Sequence, residues 1–525
     1  MSKWRVFWVP KTATTVPAGQ SELAGWADLA AREESVGIRP GDPIFLAPDY
    51  RVDELLSLYT TSSPFQRYEA ETKRNYTTDD CLFFNFLWKR GKIWTQAVES
   101  DVDDYQYWRQ ESLDNPVRIG SDKWVRELAA LMSLYKWAMK PENAFVPRNP
   151  ISTHQVMGRY GQIIEVPDVR SKDVKGSNVH WLTPRTFRLW VDVGLRGCGA
   201  DGLRAPGWVG RLEDRNVAFA RLLYSSGLRR LEGASLMTFE VPKLRLEGGR
   251  YYSGRLAAKV TRSKKARTYY VAAGVVGDIE SYVDSSRAEV IRKAQAKGRY
   301  DDVRDMRLVT KVTHGPKPIV HWVDRDGVMG RVALTHALAE ERMTWYTEGP
   351  AGPEPLWLWL SETGLPFQPH SWENVFTSAN KRCRVVLDPE PKQGLDPHRV
   401  RAPYATPHSC RHSFALYMLV ILHYLMDQRL GLTPEERRDY RLLYGDPWRM
   451  VQDLLGHASI ETTRERYLAP VADLQLRSLL ATAPIRQGEQ LEEQDMDDVF
   501  ARLAREAEGI QDIDAKMQVR TGEAA

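Results

Sequence analysis

The stretch 121–139, SDKWVRELAALMSLYKWAM, sets Trp124, Leu128, Leu131, Tyr135 and Ala138 at helical spacing along one face. Such a stripe needs other helices to cover it, and Ser121 stands where an N-cap belongs. Two segments ahead of it, SPFQRYEAETKRNYTTDDCLFFNFLWKRG and VESDVDDYQYWRQ, are patterned in the same way. Residues 61–146 therefore read as a small helical module.

That module cannot be the whole fold, because 525 residues exceed what one hydrophobic core holds. A stretch rich in Pro, Gly and Asn, 147–177, including PRNPIS, reads as a linker. The second large region, 178–470, opens with the helical segments TPRTFRLWVDVGLRG and EDRNVAFARLLYSSG. It continues through strand-like LMTFEV, GRLAAKVT and RTYYVAAGVV, then returns to helices. The fold class expected is mainly α with a small β-sheet. Residues 1–60 carry no pattern that assigns them a role.

The chain has the means to bury cores: 42% of it is hydrophobic, with 17 Trp and 22 Tyr as large anchors. No run of about 18 apolar residues is present, and MSKWRVFWVPKTATT lacks the apolar region of a signal peptide. A cytoplasmic protein with no membrane partner is expected. Cys81, Cys198, Cys383 and Cys410 show no CxxC spacing, which speaks for reduced thiols and against structural zinc.

Charge is unevenly divided. Residues 487–525 hold 11 acidic and 4 basic side chains, so the net +4 of the whole conceals a body at +11. Within the body, 243–267 has nine Lys or Arg against Glu247 alone. A basic run is often only a solvated face, but its concentration in one candidate hairpin favours a polyanion partner. The tail has Leu491, Val499, Phe500, Leu503 and Ile510 at near-helical spacing, so 471–525 is either an acidic tail or a docking helix.

The stretch TPHSCRHSFALYML puts His408 and His412 one helical turn apart, a spacing that can serve a metal. No carboxylate lies between Pro407 and Tyr424, however, and Arg411 would set a fixed cation beside the ion. No metal and no cofactor are expected. Two other segments supply complementary chemistry. LLYSSGLRRLEGASL places Arg229 just past a helix-ending glycine, and VQDLLGHASIETTRERYL places His457 past Gly456, with Tyr467 ten positions on. Guanidiniums can clamp a phosphate, histidines can donate to its oxygens or move protons, and a phenol can attack phosphorus.

In these residues the chain resembles the tyrosine recombinases, or phage-type integrases, over roughly 63–470. GLRRLE resembles the family's first arginine box, with Arg229 catalytic and Glu232 its supporting acid. HSCRH resembles the HxxR box, giving His408 and Arg411 with His412 supporting, and LLGHASIETTRERYL resembles the box leading to the nucleophile, giving His457 and Tyr467. The resemblance implies a helical core-binding (SAM-like) domain at 61–146 that clamps DNA, and a mixed α+β catalytic domain at 178–470. His457 and Tyr467 stand one residue further apart than is usual. The long interval from Arg229 to His408 implies an insertion at about 278–355, where SSRAEVIRKAQAKGRYDDVRDMRLV reads as an extra basic helix and loop. The family's catalytic lysine sits at a hairpin turn, here KVTRSKKART. Lys264 is the first choice, Lys265 and Lys259 are alternates, and the register can also be drawn with Arg262 there.

The resemblance implies a site-specific DNA recombinase, an integrase or transposase of a mobile element, that cleaves and rejoins strands through a 3′-phosphotyrosyl intermediate. Alternatives are a type IB topoisomerase-like or hairpin-forming strand transferase, and a catalytically silent DNA-binding relative. The partners implied are double-stranded recombination sites and further protomers, as a tetramer on two duplexes or with related recombinases; the protein would be nucleoid-associated when bound to DNA. Lys243, Arg245, Arg262, Lys265 and Arg267 are the expected DNA contacts of the basic hairpin, and 490–510 the segment expected to dock on a neighbour.

Overall fold

The computed structural model describes residues 3–9, 35, 37–157, 163–169, 180–245, 249–303, 305–313, 315, 317–388, 402–424 and 447–456. They fall into two units that divide between Gly176 and Ser177.

In the first unit β1 (Arg5–Trp8) pairs antiparallel with β2 (Pro43–Leu46). Five helices follow: α1 (Glu54–Thr61), α2 (Ser63–Gln66), α3 (Ala70–Trp88), α4 (Glu99–Gln110) and α5 (Ser121–Ala138). Asp53 starts α1 by accepting the Leu56 backbone N–H at 2.9 Å. The stripe on α5 is covered as its spacing predicts: Trp124, Leu128, Leu131, Tyr135 and Ala138 are all buried, in a core shared with Phe83, Leu87 and Tyr105. Ser121 is the first helical residue, and Gly120 takes the cap position expected for it. The stretch read as a linker contains a hairpin, β3 (Thr153–Met157) against β4 (Ile163–Pro167).

This unit also buries charge. The Arg109 guanidinium donates to Glu127 through Nε at 3.0 Å and Nη2 at 2.6 Å, and Tyr105 Oη adds a third bond at 3.1 Å. Lys123 bridges Glu127 and Asp79, and Arg126 reaches Asp79 at 3.0 Å.

The second unit begins with α6 (Pro184–Trp190), α7 (Glu213–Ser226) and α8 (Arg230–Ala234), followed by the hairpin β5 (Tyr251–Leu256) and β6 (Arg267–Ala272). Next come α9 (Ala273–Tyr282), α10 (Ala288–Ala296), β7 (Arg307–Val312), β8 (Ile319–Asp324), β9 (Met329–Ala333), α11 (Ala339–Arg342), β10 (Trp345–Gly349) and β11 (Gly352–Pro355). Then follow α12 (Trp372–Leu387), α13 (Pro407–Tyr424) and α14 (Pro447–Leu455). Helix α7 threads the core, burying Val217, Phe219, Leu222 and Leu223 among Trp359, Trp372 and Met237.

The stretch 278–355 holds more than a basic helix and loop: β7–β11 form a five-stranded sheet in the order β11-β10-β7-β8-β9, parallel only between β10 and β7. LMTFEV, read as a strand, is instead a 3₁₀ turn at Thr238–Glu240. Buried Arg342 holds it there, donating to Ser235 O at 3.0 Å and Glu240 Oε2 at 2.7 Å. The whole is mainly α with small sheets, a helical unit followed by a mixed α+β unit, as the sequence leads one to expect. Among the described residues no helix is long and apolar enough to cross a membrane.

Candidate active site

Helix α7 ends at Gly227, whose φ of +63° is the left-handed turn that glycine adopts without strain. A Cβ there would meet Phe414 Cδ1 at 2.3 Å, so space as well as backbone demands glycine. The turn delivers Arg229 to the N-cap of α8. Glu232, three residues on, reaches back to the Arg229 backbone N–H at 2.8 Å and takes its Nη1 at 3.1 Å. The GLRRLE box is thus locally self-organised.

The HSCRH box opens α13. Thr406 and Ser409 cap its start reciprocally: Ser409 N–H donates to Thr406 Oγ1 at 3.0 Å, and Thr406 N–H to Ser409 Oγ at 2.8 Å. This is a capping box with serine in place of the usual Glu or Gln. One turn in, Arg411 is fully buried; its Nη1 donates to Gly227 O and its Nη2 to Leu455 O, each at 2.5 Å. Those carbonyls end α7 and α14, where a cation meets the negative pole of a helix. Arg411 therefore ties together the two turns that precede Arg229 and His457.

A second cation meets the end of α14 and the acid of α8. Arg267, at the start of β6, donates from Nη1 to Leu454 O at 2.8 Å and from Nη2 to Glu232 at 2.7 Å. Its side chain is only 10% exposed. Arg267, one of the expected DNA contacts, turns its guanidinium inward, where a buried carboxylate and a helix end hold it with charge-assisted bonds. Gly456, at φ +65°, closes α14 against the same side chain, and a Cβ there would lie 2.8 Å from Arg267 Cδ.

Glu232 thus faces Arg229, Arg267 and, at 4.0 Å, Arg411. Burial alone would raise its pKa, but Arg267, Arg411 and Arg229 together hold it below the usual carboxylate range. His408 sits at the exposed rim, its ring edge-on to buried His412 with centroids 4.4 Å apart. Its pKa is lowered, first by desolvation and then by the positive charges of Arg411, Arg229 and Arg262, so the imidazole is neutral at pH 7.

The connection between β5 and β6 carries the remaining cations. Lys264 occupies its turn in a left-handed conformation, φ +53°, with its N–H on Thr261 O at 3.2 Å. Lys259, Arg262, Lys264 and Lys265 are exposed, as are Lys243 and Arg245 ahead of β5. His457, Tyr467 and the segment 490–510 lie outside the described residues. Among the described residues no group of three or more His, Cys, Asp or Glu is arranged to hold a metal, and all four cysteines are free thiols. The roles of Arg267 and the Thr406–Ser409 pair are the features that motif reading misses. The T-x-x-S spacing was a usable signal for the second; nothing local marks the first.

No protein-family model matches the chain, and no curated protein matches it. Several solved structures are similar to it. One is XerH site-specific recombinase bound to palindromic difH substrate in a post-cleavage complex, at 12% identity over 83% of this chain and 86% of that one, with a TM-score of 0.40. XerA recombinase is similar at 15% identity over 82% of this chain and 99% of that one, with a TM-score of 0.28. The integrase of transposon Tn1549 in complex with circular intermediate DNA is similar at 13% identity over 71% and 81%, with a TM-score of 0.31.

Proposed function

We propose that the protein is a tyrosine recombinase that cuts and rejoins double-stranded DNA through Tyr467. The observation that carries this reading is the convergence of Arg229, Arg411 and Arg267 on Glu232 beside a neutral His408. Three guanidiniums against one anion leave a positive surplus suited to a phosphodiester. The two helix ends that Arg411 ties together lead directly into Arg229 and, through Gly456, into His457.

Each residue then has a chemical task. A tyrosine with an ordinary pKa of about 10 is ionised to roughly one part in a thousand at pH 7, a penalty near 4 kcal/mol for its phenolate. Arg229 and Arg411 stabilise the charge that builds on the non-bridging oxygens, each such donor contributing on the order of 3 kcal/mol. His408 accepts the tyrosine proton and His457 donates to the phosphate. The Tyr467 oxygen bonds to phosphorus while the bond to the 5′ oxygen breaks, and Lys264, or its alternates Lys265 and Lys259, protonates that oxygen. The 5′ hydroxyl of a partner strand then attacks the 3′-phosphotyrosyl link and releases the tyrosine. The bond order is conserved throughout, so the residues named complete the reaction without an energy source. The helical unit is the DNA clamp, and strand exchange takes place in a tetramer on two duplexes.

The test is covalent trapping on labelled duplexes that span the ends of the protein's own element, nicked near the cleavage point. A DNA-linked band that survives denaturation and is absent in Tyr467→Phe is expected. A band that persists in Tyr467→Phe assigns another nucleophile, and DNA binding without any band on the true site points to a silent binder.

A further inference from the structure

The sheet within 278–355 has two unlike faces. One packs on the main core through Val309, Val312, Val320 and Val332. The other is covered at its β7–β10 end, where Leu308 and Tyr346 meet Val290, Ile291 and Tyr300. Over β8 and β9 no described residue covers it, and Met329 and Arg331 are exposed. There the strand register sets Lys311 opposite His321 and His321 opposite Arg331, a row across three strands. Lys311 and Arg331 are exposed and His321 is half-buried.

A bulge in β7 creates this row. Val309 faces Trp322 and Lys311 faces His321, so Thr310 is the extra residue. Without the bulge, Thr310 would oppose His321 and Lys311 would fall opposite Val320, on the face that packs into the core. Bulges re-aim side chains in this way. The outcome sets two cations on one half-face, two strands apart, with His321 between them. Among the described residues none of the three has an ion-pair partner.

We propose that this open half-face is an additional DNA contact, in which Lys311 and Arg331, with His321 between them, lie against backbone phosphates. The inference rests on the recombinase reading for its polyanion and adds a surface outside the catalytic cluster. Its contacts are charge with phosphate, so they lengthen the footprint without reading bases.

The experiment measures the affinity of the full chain for its element-end duplex as a function of salt, for the unaltered protein and for Lys311→Ala/Arg331→Ala. Each lost phosphate contact lowers the log–log salt slope by about 0.9. The double variant should therefore lose about 1.8, and its fall in affinity between about 50 and about 200 mM salt should be about twelvefold smaller. The charge-preserving pair Lys311→Arg/Arg331→Lys should restore the slope, which separates charge from folding. Equal slopes for the alanine variant and the unaltered protein would overturn the inference and leave the recombinase reading intact. A variant that binds more tightly would also overturn it, because the row would then be holding an anionic segment of the chain itself. An unaltered protein that fails to bind its own element ends would overturn the recombinase reading first, and this inference with it.

Discussion

Both units bury ionic clusters, and the two differ in how they are balanced. In the helical unit Arg109, Lys123 and Arg126 meet two carboxylates, Asp79 and Glu127, with Tyr105 adding a neutral donor. The surplus falls on Lys123 and Arg126, whose side chains are 29% and 43% exposed, where water supports it. In the second unit Arg229, Arg267 and Arg411 all face Glu232, and the Arg411 side chain is fully buried. The first cluster closes on itself and needs nothing further. The second is held together by helix-end carbonyls and by Glu232, and after desolvation the charges of Arg411 and Arg229 help to lower the pKa of the histidine at its rim.

The sharpest way to break the comparison is Glu232→Ala. Removing the shared carboxylate takes from Arg267 and Arg411 the anion they both face, and breaking such a buried partnership costs about 3–5 kcal/mol. A large fall in the urea midpoint of the second unit is expected, with reduced soluble yield. A loss below about 1 kcal/mol, the scale of an exposed ion pair, would mean that the helix-end carbonyls alone hold the three arginines.

Why the two clusters were unequally legible in the sequence follows from how they are built. Glu232 and Arg229 sit three residues apart on one turn, and Gly227 and Gly456 announce helix ends by chemistry that is local. The α5 stripe was equally readable, because its period is that of its own helix. Arg267 was not: its partners lie 35 residues before it and 187 after it, and from sequence it is one cation among nine in a basic hairpin. LMTFEV reads as a strand because alternation is all the segment shows by itself. Arg342, more than a hundred residues away, fixes it as a turn. The sheet of 278–355 escaped for a related reason, since its parallel β7–β10 pairing joins strands separated by β8 and β9. In the first unit THQVM and IIEVP are too short and too close to Pro and Asn to outweigh the linker signal around them.

A second change sharpens the contrast from the other side. Glu127→Gln keeps the shape of the buried acid in the helical unit but removes its charge from the bidentate grip of Arg109. Hydrogen bonds to charged groups contribute about 1.5–3 kcal/mol, so a loss of about 2 kcal/mol in the unfolding free energy of the first unit is expected. Trapping yield per folded molecule should not change, because this cluster has a structural role only. A fall in cleavage at full folding would show that the closed cluster also serves the reaction.

The smallest effect concerns a neighbour of the closed cluster. Asp80 is buried beside Asp79, and among the described residues neither of its carboxyl oxygens has a hydrogen-bond partner. Burial first, and the Asp79 charge second, raise its pKa well above the usual carboxylate range. Between the unfolded value of about 3.9 and the raised folded value, the native state keeps a proton that the unfolded chain has released. Stability from this group is therefore complete below about pH 4 and declines as pH rises through the folded value. Asp80→Asn removes that slope. Its stability curve should meet that of the unaltered protein near pH 4 and rise progressively above it as pH increases toward the folded value. Urea midpoints measured from about pH 4 to about pH 8 decide the matter: curves that stay parallel across that range would show Asp80 to be ionised in the native state, and the helical unit would then carry an uncompensated buried charge of its own.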